Sequence, residues 1–308
     1  MSPNEHGREG STARVLRIPT PAGSGLVLEH GSRTLDLSQG LPHAKRGDLL
    51  ELIARGLFDD PEGLTAATLA QFPRCSAPLS LLTPFEPRHV GKVLALSSSP
   101  RQWRGATPEQ ESRARFSNRS PATLIAGGQS VEPAHPAGSG EPGGSFLMHE
   151  AYLALVVSTR ARGLDLDSSL GAIAGFMVAS DFTRRTLDGR PSTPWFGPSP
   201  CGALAIGPAF VPRSCFDLGD VTIRVRRTRG GSQEPEQRHS TGEFLHDAAL
   251  AVAAISRLAI LHPGDLLLLP TGLGAGRLEA GDEVRCTIDG IGELTTGICS
   301  RERLYKQA

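Results

Sequence analysis

The chain has 308 residues, and its 32 Lys plus Arg balance 32 Asp plus Glu, so no net field draws it to nucleic acid or an anionic membrane. Gly (36) and Pro (24) are plentiful while aromatics are few, which suits many short elements joined by turns and disfavours a helical bundle. The length allows one large domain or two unequal ones.

The first residues, MSPNEHGREGSTAR, are polar and lack the apolar core of an export signal. The longest apolar helical stretch, Ala248 to Leu261, is interrupted by Arg257 and is too short to span a bilayer. A cytoplasmic protein with no membrane partner and no nucleic-acid partner is expected. Residues 1–12 read as a disordered tail. From Ala13, short apolar runs separated by Pro-Ala-Gly-Ser-Gly and His-Gly-Ser predict strand, turn, strand. RGDLLELIARGLF then predicts a helix with Leu49, Leu50, Leu52 and Ile53 on one side, and EGLTAATLAQF predicts a weaker one. This part, 13–88, reads as a small α+β domain.

KVLALSSS begins a new strand and opens into a polar loop, PRQWRGATPEQESRARFSNRS, which is either a lid or a solvated excursion. PATLIAGGQSVEP is strand-like, and HPAGSGEPGG is a flexible connector. The stretch from Phe146 to Asp181 predicts a strand, a polar turn, a small-residue helix and the end of a second strand, with Glu150 and Asp181 on apolar runs. An unpaired buried carboxylate is expensive, so these two acids mark a candidate site.

In DVTIRVRRTRGG, Val221, Ile223 and Val225 alternate with Thr222, Arg224 and Arg226. That is a half-exposed strand whose arginines form a solvated face, since no aromatics are interleaved for base stacking. Ser240-Thr-Gly-Glu243 fits a capping box before the helix EFLHDAALAVAAISRLAIL. LHPGDLLLLPTG reads as a turn and a buried strand. DEVRCTIDGIGELTTGI is a hairpin turning at Asp289-Gly290, in which Ile288 would face Ile291 and Cys286 would face Glu293. Residues 303–308 are a tail. The five cysteines (75, 201, 215, 286, 299) form no CxxC pair and no zinc spacing, so reduced thiols are expected.

Three short patterns mislead. Gly272-Leu-Gly274-Ala-Gly276 has the spacing GxGxG and no following helix, so it is not a dinucleotide loop, and no nucleotide cofactor is expected. His149-Glu150 begins like HExxH but lacks the second His and sits on a strand pattern. Neither a GxSxG elbow nor a GxxxxGK[ST] loop is present.

In order and spacing, several phrases resemble the fumarylacetoacetate hydrolase family. LDLS, DLLELIARG and LLTPFEPRHVGKVLAL resemble its small leading domain and junction. EAYLALVVS, AIAGFMVASDFTRR, ALAIGPAFV, ISRLAILHPGDLLLL and LEAGDEVRCTIDGIGELTTGI resemble its catalytic domain. The resemblance covers nearly the whole chain from Ala13. It implies an α+β, mainly β protein: a mixed β-sandwich roll catalytic domain over 89–302 behind the small N-terminal α+β domain. It also implies a homodimer, a Mg²⁺ or Mn²⁺ ion, and a small-molecule substrate that is a 1,3-dicarbonyl, an enol or a 2-oxo acid. Family reactions include C–C hydrolysis, decarboxylation and tautomerisation. In such a site carboxylate oxygens hold the ion, which stabilises an enolate, while a lid His–Glu pair handles protons.

Carried over residue by residue, Glu150 matches the first Glu of the family's E-x-E ligand pair and Asp181 its Asp. Tyr152 stands at the second Glu, on the same strand face as Glu150, with His149 on the other. The metal is therefore expected to be weakly held or lost, and two carboxylates without an ion would repel, raising the pKa of one. Trp103 falls near the lid His, with Glu109 and Glu111 further along the lid, and Pro198 stands near the family's Lys. Thr271 keeps one hydroxyl of the late strand, Gly272 lines the pocket, and Arg185 matches the family's Arg. The catalytic candidates are thus Glu150, Asp181 and Thr271, with Trp103, Tyr152, Arg185 and Gly272 toward substrate. The expected function is a divergent enzyme of this kind, working by C–C hydrolysis, decarboxylation, tautomerisation or cyclisation in specialised metabolism, with metal-free tautomerisation or aldol-type cyclisation suiting the site better than C–C hydrolysis. The alternative is an inactive member that serves as a binding or assembly protein.

Overall fold

The computed structural model describes residues 13–21, 23–39, 41, 48–58, 72–75, 81–96, 116–131, 145–186, 204–219, 221–240 and 244–299. The second predicted N-terminal helix, Trp103, Glu109, Glu111, Pro198, Cys201 and residues 241–243 of the capping box lie outside them.

The strands are β1 (Arg14–Thr20), β2 (Gly23–His30), β3 (Arg33–Asp36), β4 (Val93–Leu96), β5 (Phe116–Arg119), β6 (Leu124–Ala126), β7 (Ser130–Val131), β8 (Ser145–Val157), β9 (Ile173–Thr186) and β10 (Leu204–Pro212). They continue as β11 (Thr222–Arg229), β12 (Ser232–Gln233), β13 (Gln237–Ser240), β14 (Leu266–Pro270), β15 (Gly276–Leu278), β16 (Glu283–Ile288) and β17 (Gly292–Ile298). The α-helices are α1 (Leu49–Ala54), α2 (Leu166–Ser169) and α3 (Phe244–Leu258). Among the described residues an 11-stranded sheet runs β3-β2-β1-β10-β9-β8-β14-β4-β5, with β15 added to β8 and β6 to β10. A 6-stranded sheet runs β12-β11-β16-β17-β7, with β13 added to β11. This is the mainly β architecture expected. No described helix is long and apolar enough to cross a membrane.

The long antiparallel pair β8 and β9 is the spine of the large sheet. Both faces of β8 are covered, and strand alternation divides its side chains between two cores. Leu153, Leu155 and Val157 join Phe176, Val178 and helix α3 residues Val252 and Ile255, together with Ile223, Val284 and Leu294 of the smaller sheet. Tyr152, Ala154 and Val156 face the other way, onto Met177, Phe85, α1 and the N-terminal strands. The N-terminal meander therefore shares a core with the larger part of the chain, and β1 meets β10 at Val15 and Phe210.

Local sequence explains three departures from expectation. Helix α1 begins where Asp48 accepts a hydrogen bond from the Glu51 amide, 3.2 Å, but stops at Ala54, ahead of Gly56 at φ 72°. The small-residue stretch after the polar turn is only the short α2 and one 3-10 turn, and Ile173 already starts β9. Gly175 is needed as a strand residue because a Cβ there would sit 2.2 Å from the Val211 carbonyl of β10. The late hairpin is one residue longer at its turn than expected. Ile288 pairs with Gly292, Thr287 with Glu293 and Cys286 with Leu294. Ile291, fully buried and donating its amide to the Ile288 carbonyl at 3.0 Å, belongs to the turn. Cys286 still has no sulfur opposite it, and the described cysteines, 75, 215, 286 and 299, are free thiols.

The arginines of β11 are ion-paired on both sides of the strand, Arg224 and Arg226 on one face and Arg227 and Arg229 on the face that carries Ile223 and Val225. Arg226 reaches Glu236 at 2.6 Å, Arg227 reaches Glu234 at 2.6 Å, Arg229 reaches Asp282 at 2.6 Å, and Arg224 pairs with Asp289.

Candidate functional site

Glu150 on β8 and Asp181 on β9 are direct cross-strand partners, so their side chains emerge on one face. Tyr152, two residues along β8, shares that face, and its hydroxyl donates to Glu150 Oε2 at 3.4 Å. Arg185 approaches the same oxygen with Nη2 at 3.7 Å, while its buried Nε has no hydrogen-bond partner among the described residues. Glu150, Tyr152, Asp181 and Arg185 are thus brought together, as their spacing on two paired strands requires.

A fifth member was not found from the sequence. Arg119, at the end of β5, donates from Nε (2.8 Å) and Nη2 (2.7 Å) to Asp181 Oδ2 and from Nη1 to the Ser117 hydroxyl, 2.7 Å. Its side chain is only 3% exposed and that of Asp181 0%. The route is topological. β5 ends the large sheet at one edge, yet Pro121–Thr123 carries the chain straight to β6, which pairs with β10 beside β9. The sheet curls so that its edge delivers Arg119 over Asp181. Within FSNRS nothing periodic marks this arginine.

Burial pushes the Asp181 carboxyl above the usual range, and the Arg119 guanidinium opposes that shift. The expected mutual repulsion of two bare carboxylates is not what the site contains, because each acid faces a guanidinium. Burial, and then the charges of Asp181 and Glu150, hold the Tyr152 phenol well above its ordinary value. Tyr152 is therefore a neutral hydroxyl donor.

Thr271 is fully buried on the turn after β14. Its hydroxyl donates to the Ala151 carbonyl at 2.8 Å and accepts from the Leu273 amide at 3.2 Å. It holds the loop to β8, and both hydrogen-bonding functions are spent on backbone. Gly272 lines a cavity of about 310 Å³ together with Glu150, Tyr152, Pro270 and Gly274. Gln237 of β13, a second residue missed in the sequence, also lines it. Its amide grips Gly274 from both sides, donating to the carbonyl at 2.9 Å and accepting from the amide at 3.2 Å. The misleading GxGxG pattern thereby acquires a reason: a Cβ on Gly274 would lie 2.3 Å from the His149 carbonyl, so only glycine lets the loop close on β8. His149 points the other way, fully buried against Phe182 with ring centroids 5.1 Å apart. Its Nδ1 accepts from the Ala275 amide at 3.0 Å, and burial lowers its pKa to about 3.

A divalent ion does not fit the described donor set. No group of three His, Cys, Asp or Glu converges among the described residues. Tyr152 brings no charge, one Asp181 oxygen is held by Arg119, and the two acids are matched by two guanidiniums. A hard cation needs several anionic oxygens and a net negative cage.

The site is thus a carboxylate pair set within the two long central strands, β8 and β9, of a rolled, mainly β sheet. The model of the fumarylacetoacetate (FAA) hydrolase C-terminal domain matches residues 88–299, and the chain belongs to that family. An uncharacterized protein of Staphylococcus epidermidis is 31% identical over 159 residues, 49% of this chain and 52% of that protein, so the chain spans about half the length of the curated relatives it matches. Two solved structures are similar in fold. A fumarylacetoacetate hydrolase from psychrophilic Exiguobacterium antarcticum has TM-score 0.71 and 22% identity, covering 94% of this chain and 100% of that one. The maleylpyruvate hydrolase of Sphingobium sp. SYK-6 has TM-score 0.70 and 20% identity, covering 93% and 99%. A further structure of that enzyme holds manganese(II) and pyruvate.

Proposed function

We propose that the chain is a small-molecule enzyme that moves a proton on a 1,3-dicarbonyl, an enol or a 2-oxo acid, with Glu150 as the base and Tyr152 as its hydrogen-bonding partner. The observation that carries this reading is the Glu150–Tyr152 pair at the wall of a cavity of about 310 Å³, within the size range of small-ligand pockets. Glu150 is the more open acid, its side chain 36% exposed, whereas Asp181 is sealed. In a keto–enol exchange Glu150 would take the proton from the carbon between two carbonyls and return it to oxygen, or the reverse, with no net consumption of protons or electrons. Arg185, 3.7 Å from Glu150, supplies positive charge beside the developing enolate. The names of the similar structures support a carbonyl-containing acid as substrate: a fumarylacetoacetate hydrolase and a maleylpyruvate hydrolase.

The test is a panel of acylpyruvates, oxaloacetate and aromatic 1,3-diketones, followed by loss or gain of the enol absorbance in the presence of EDTA. Glu150→Gln is expected to lower the rate about 10²–10⁴-fold, the usual contribution of a positioned general base. Unchanged turnover in Glu150→Gln refutes the assignment. A second reading, a binding protein without turnover, draws on the closed Arg119–Asp181 pair, which removes one acid from chemistry. Tight binding of a panel compound with no conversion would select it.

A further inference from the structure

We propose that Arg119 is the resident cation of this site, taking the electrostatic place that a divalent ion holds in similar enzymes. The geometry assigns it that role in three ways. First, the charges balance without an ion: Glu150 and Asp181 contribute two negative charges, Arg119 and Arg185 two positive ones, and Tyr152 none. Second, Arg119 is built in. All three of its nitrogens are engaged, two on Asp181 and one on Ser117, behind a side chain that is almost fully buried. A guanidinium held in this way is part of the chain and, unlike an exchangeable ion, cannot leave. Third, the position is fixed by the fold: Arg119 pairs with Val93 on β4, and five residues later Leu124 pairs with Leu204, itself the partner of Asp181. The cation is thus tied by the backbone to the strand that carries its acid.

An ion entering between Glu150 and Asp181 would meet a guanidinium already bound to one acid and a second facing the other. It would find only two carboxylates to offset both. The substitution of Tyr for an acid at 152 and the presence of Arg119 therefore act in the same direction, and Arg119 is the part that the sequence did not disclose. Asp181 Oδ1 is buried and without a partner among the described residues, and alone it makes no cage.

The inference stands apart from the proposed reaction, because its test reads metal binding and no turnover. Titrating Mn²⁺ against the full-length protein while following the free-ion electron paramagnetic resonance signal is expected to leave that signal unchanged up to about 1 mM. Tyr152→Glu alone is expected to bind weakly, whereas Tyr152→Glu with Arg119→Gln should bind at least about tenfold tighter, because the third acid is restored and the internal cation removed. Pairing Tyr152→Glu with Arg119→Lys, which keeps the charge, should bind no tighter than Tyr152→Glu alone. Stoichiometric Mn²⁺ binding by the natural protein, lost in Asp181→Asn, overturns the proposal. So does Tyr152→Glu binding as tightly as the double variant. If the double variant does not fold, the natural protein and the Arg119→Lys pair still decide.

Discussion

His149 gives the sharpest quantitative test of the site's architecture. The residue is fully buried, accepts the Ala275 amide on Nδ1 and has its pKa lowered to about 3 by burial, from 6.5. The native protein therefore keeps this ring neutral while the unfolded chain protonates it. Between the two values the unfolded state holds the extra proton, so stability falls as pH drops below 6.5 and rises as pH increases. At about 1.4 kcal/mol per unit, moving from pH 7.5 to pH 5 removes about 2 kcal/mol through this one group. Other groups contribute to the overall pH dependence, so the informative quantity is a difference. His149→Asn retains an oxygen for the Ala275 amide but cannot titrate. Its urea unfolding free energy, followed by circular dichroism, should lose about 2 kcal/mol less than the natural protein's over the same interval. Parallel pH dependence in the two proteins would refute the burial argument. The result also bears on function, since a ring sealed against Phe182 and facing away from Glu150 does not reach a proton or an ion in the pocket.

Further substitutions probe the glycine loop that lines the pocket, a control glycine away from it, and the turn before β14. Gly274→Ala places a Cβ 2.3 Å from the His149 carbonyl, against backbone of β8 that cannot give way, and is expected to destabilise by about 1–3 kcal/mol in urea melts. Gly171→Ala, whose Cβ meets nothing within 4 Å, should stay within about 0.5 kcal/mol. Asp265, sealed in the turn before β14, accepts the Lys92 amide at 3.1 Å and the His262 amide at 2.7 Å, and pairs with the Lys92 ammonium. Asp265→Ala should cost about 3 kcal/mol, and Asp265→Asn, which retains one acceptor, clearly less. Equal losses for the two would mean that the amide bonds contribute nothing.

What was legible in the sequence was what repeats or what lies close along the chain. The alternation in TIRVRR fixes which side of β11 is buried, and the apolar run after Glu150 predicts a strand with both faces covered. Glu150, Tyr152, Asp181 and Arg185 converge because they occupy two adjacent strands, which order and spacing alone can suggest. What was not legible depended on long-range closure. Arg119 lies 62 residues from Asp181 and meets it only because the sheet curls through β6, and Gln237 reaches the glycine loop from the other sheet. The hairpin at Asp289-Gly290 failed by one residue for a local reason. Ile291 is apolar enough to read as a strand residue, yet its side chain is drawn into the core at the turn, which moves every following pair by one. SSLGAIAG misled similarly: its small residues look helical, but Gly175 at its end is required as glycine because β10 passes directly over it.

Tyr152 shows how the two kinds of information meet in one residue. It is 3% exposed and packs in the core that also contains Ala154, Met177 and Ala179, so its ring is a structural element of the sheet's buried face. Its hydroxyl, at the rim of that core, reaches Glu150. A carboxylate at this position would place a charge at the edge of an apolar cluster, tolerable only with a cation bound to it. With a phenol there, the core closes over the site without one, and Arg119 pairs with the remaining buried acid through Oδ2. The same exchange leaves Glu150 as the acid that is half open to the pocket and hydrogen-bonded by a neutral donor. That arrangement suits a group that accepts and returns a proton, and it is poorly made for a group that must hold an ion. The packing of one side chain into the core thus decides which chemistry the neighbouring carboxylate can perform.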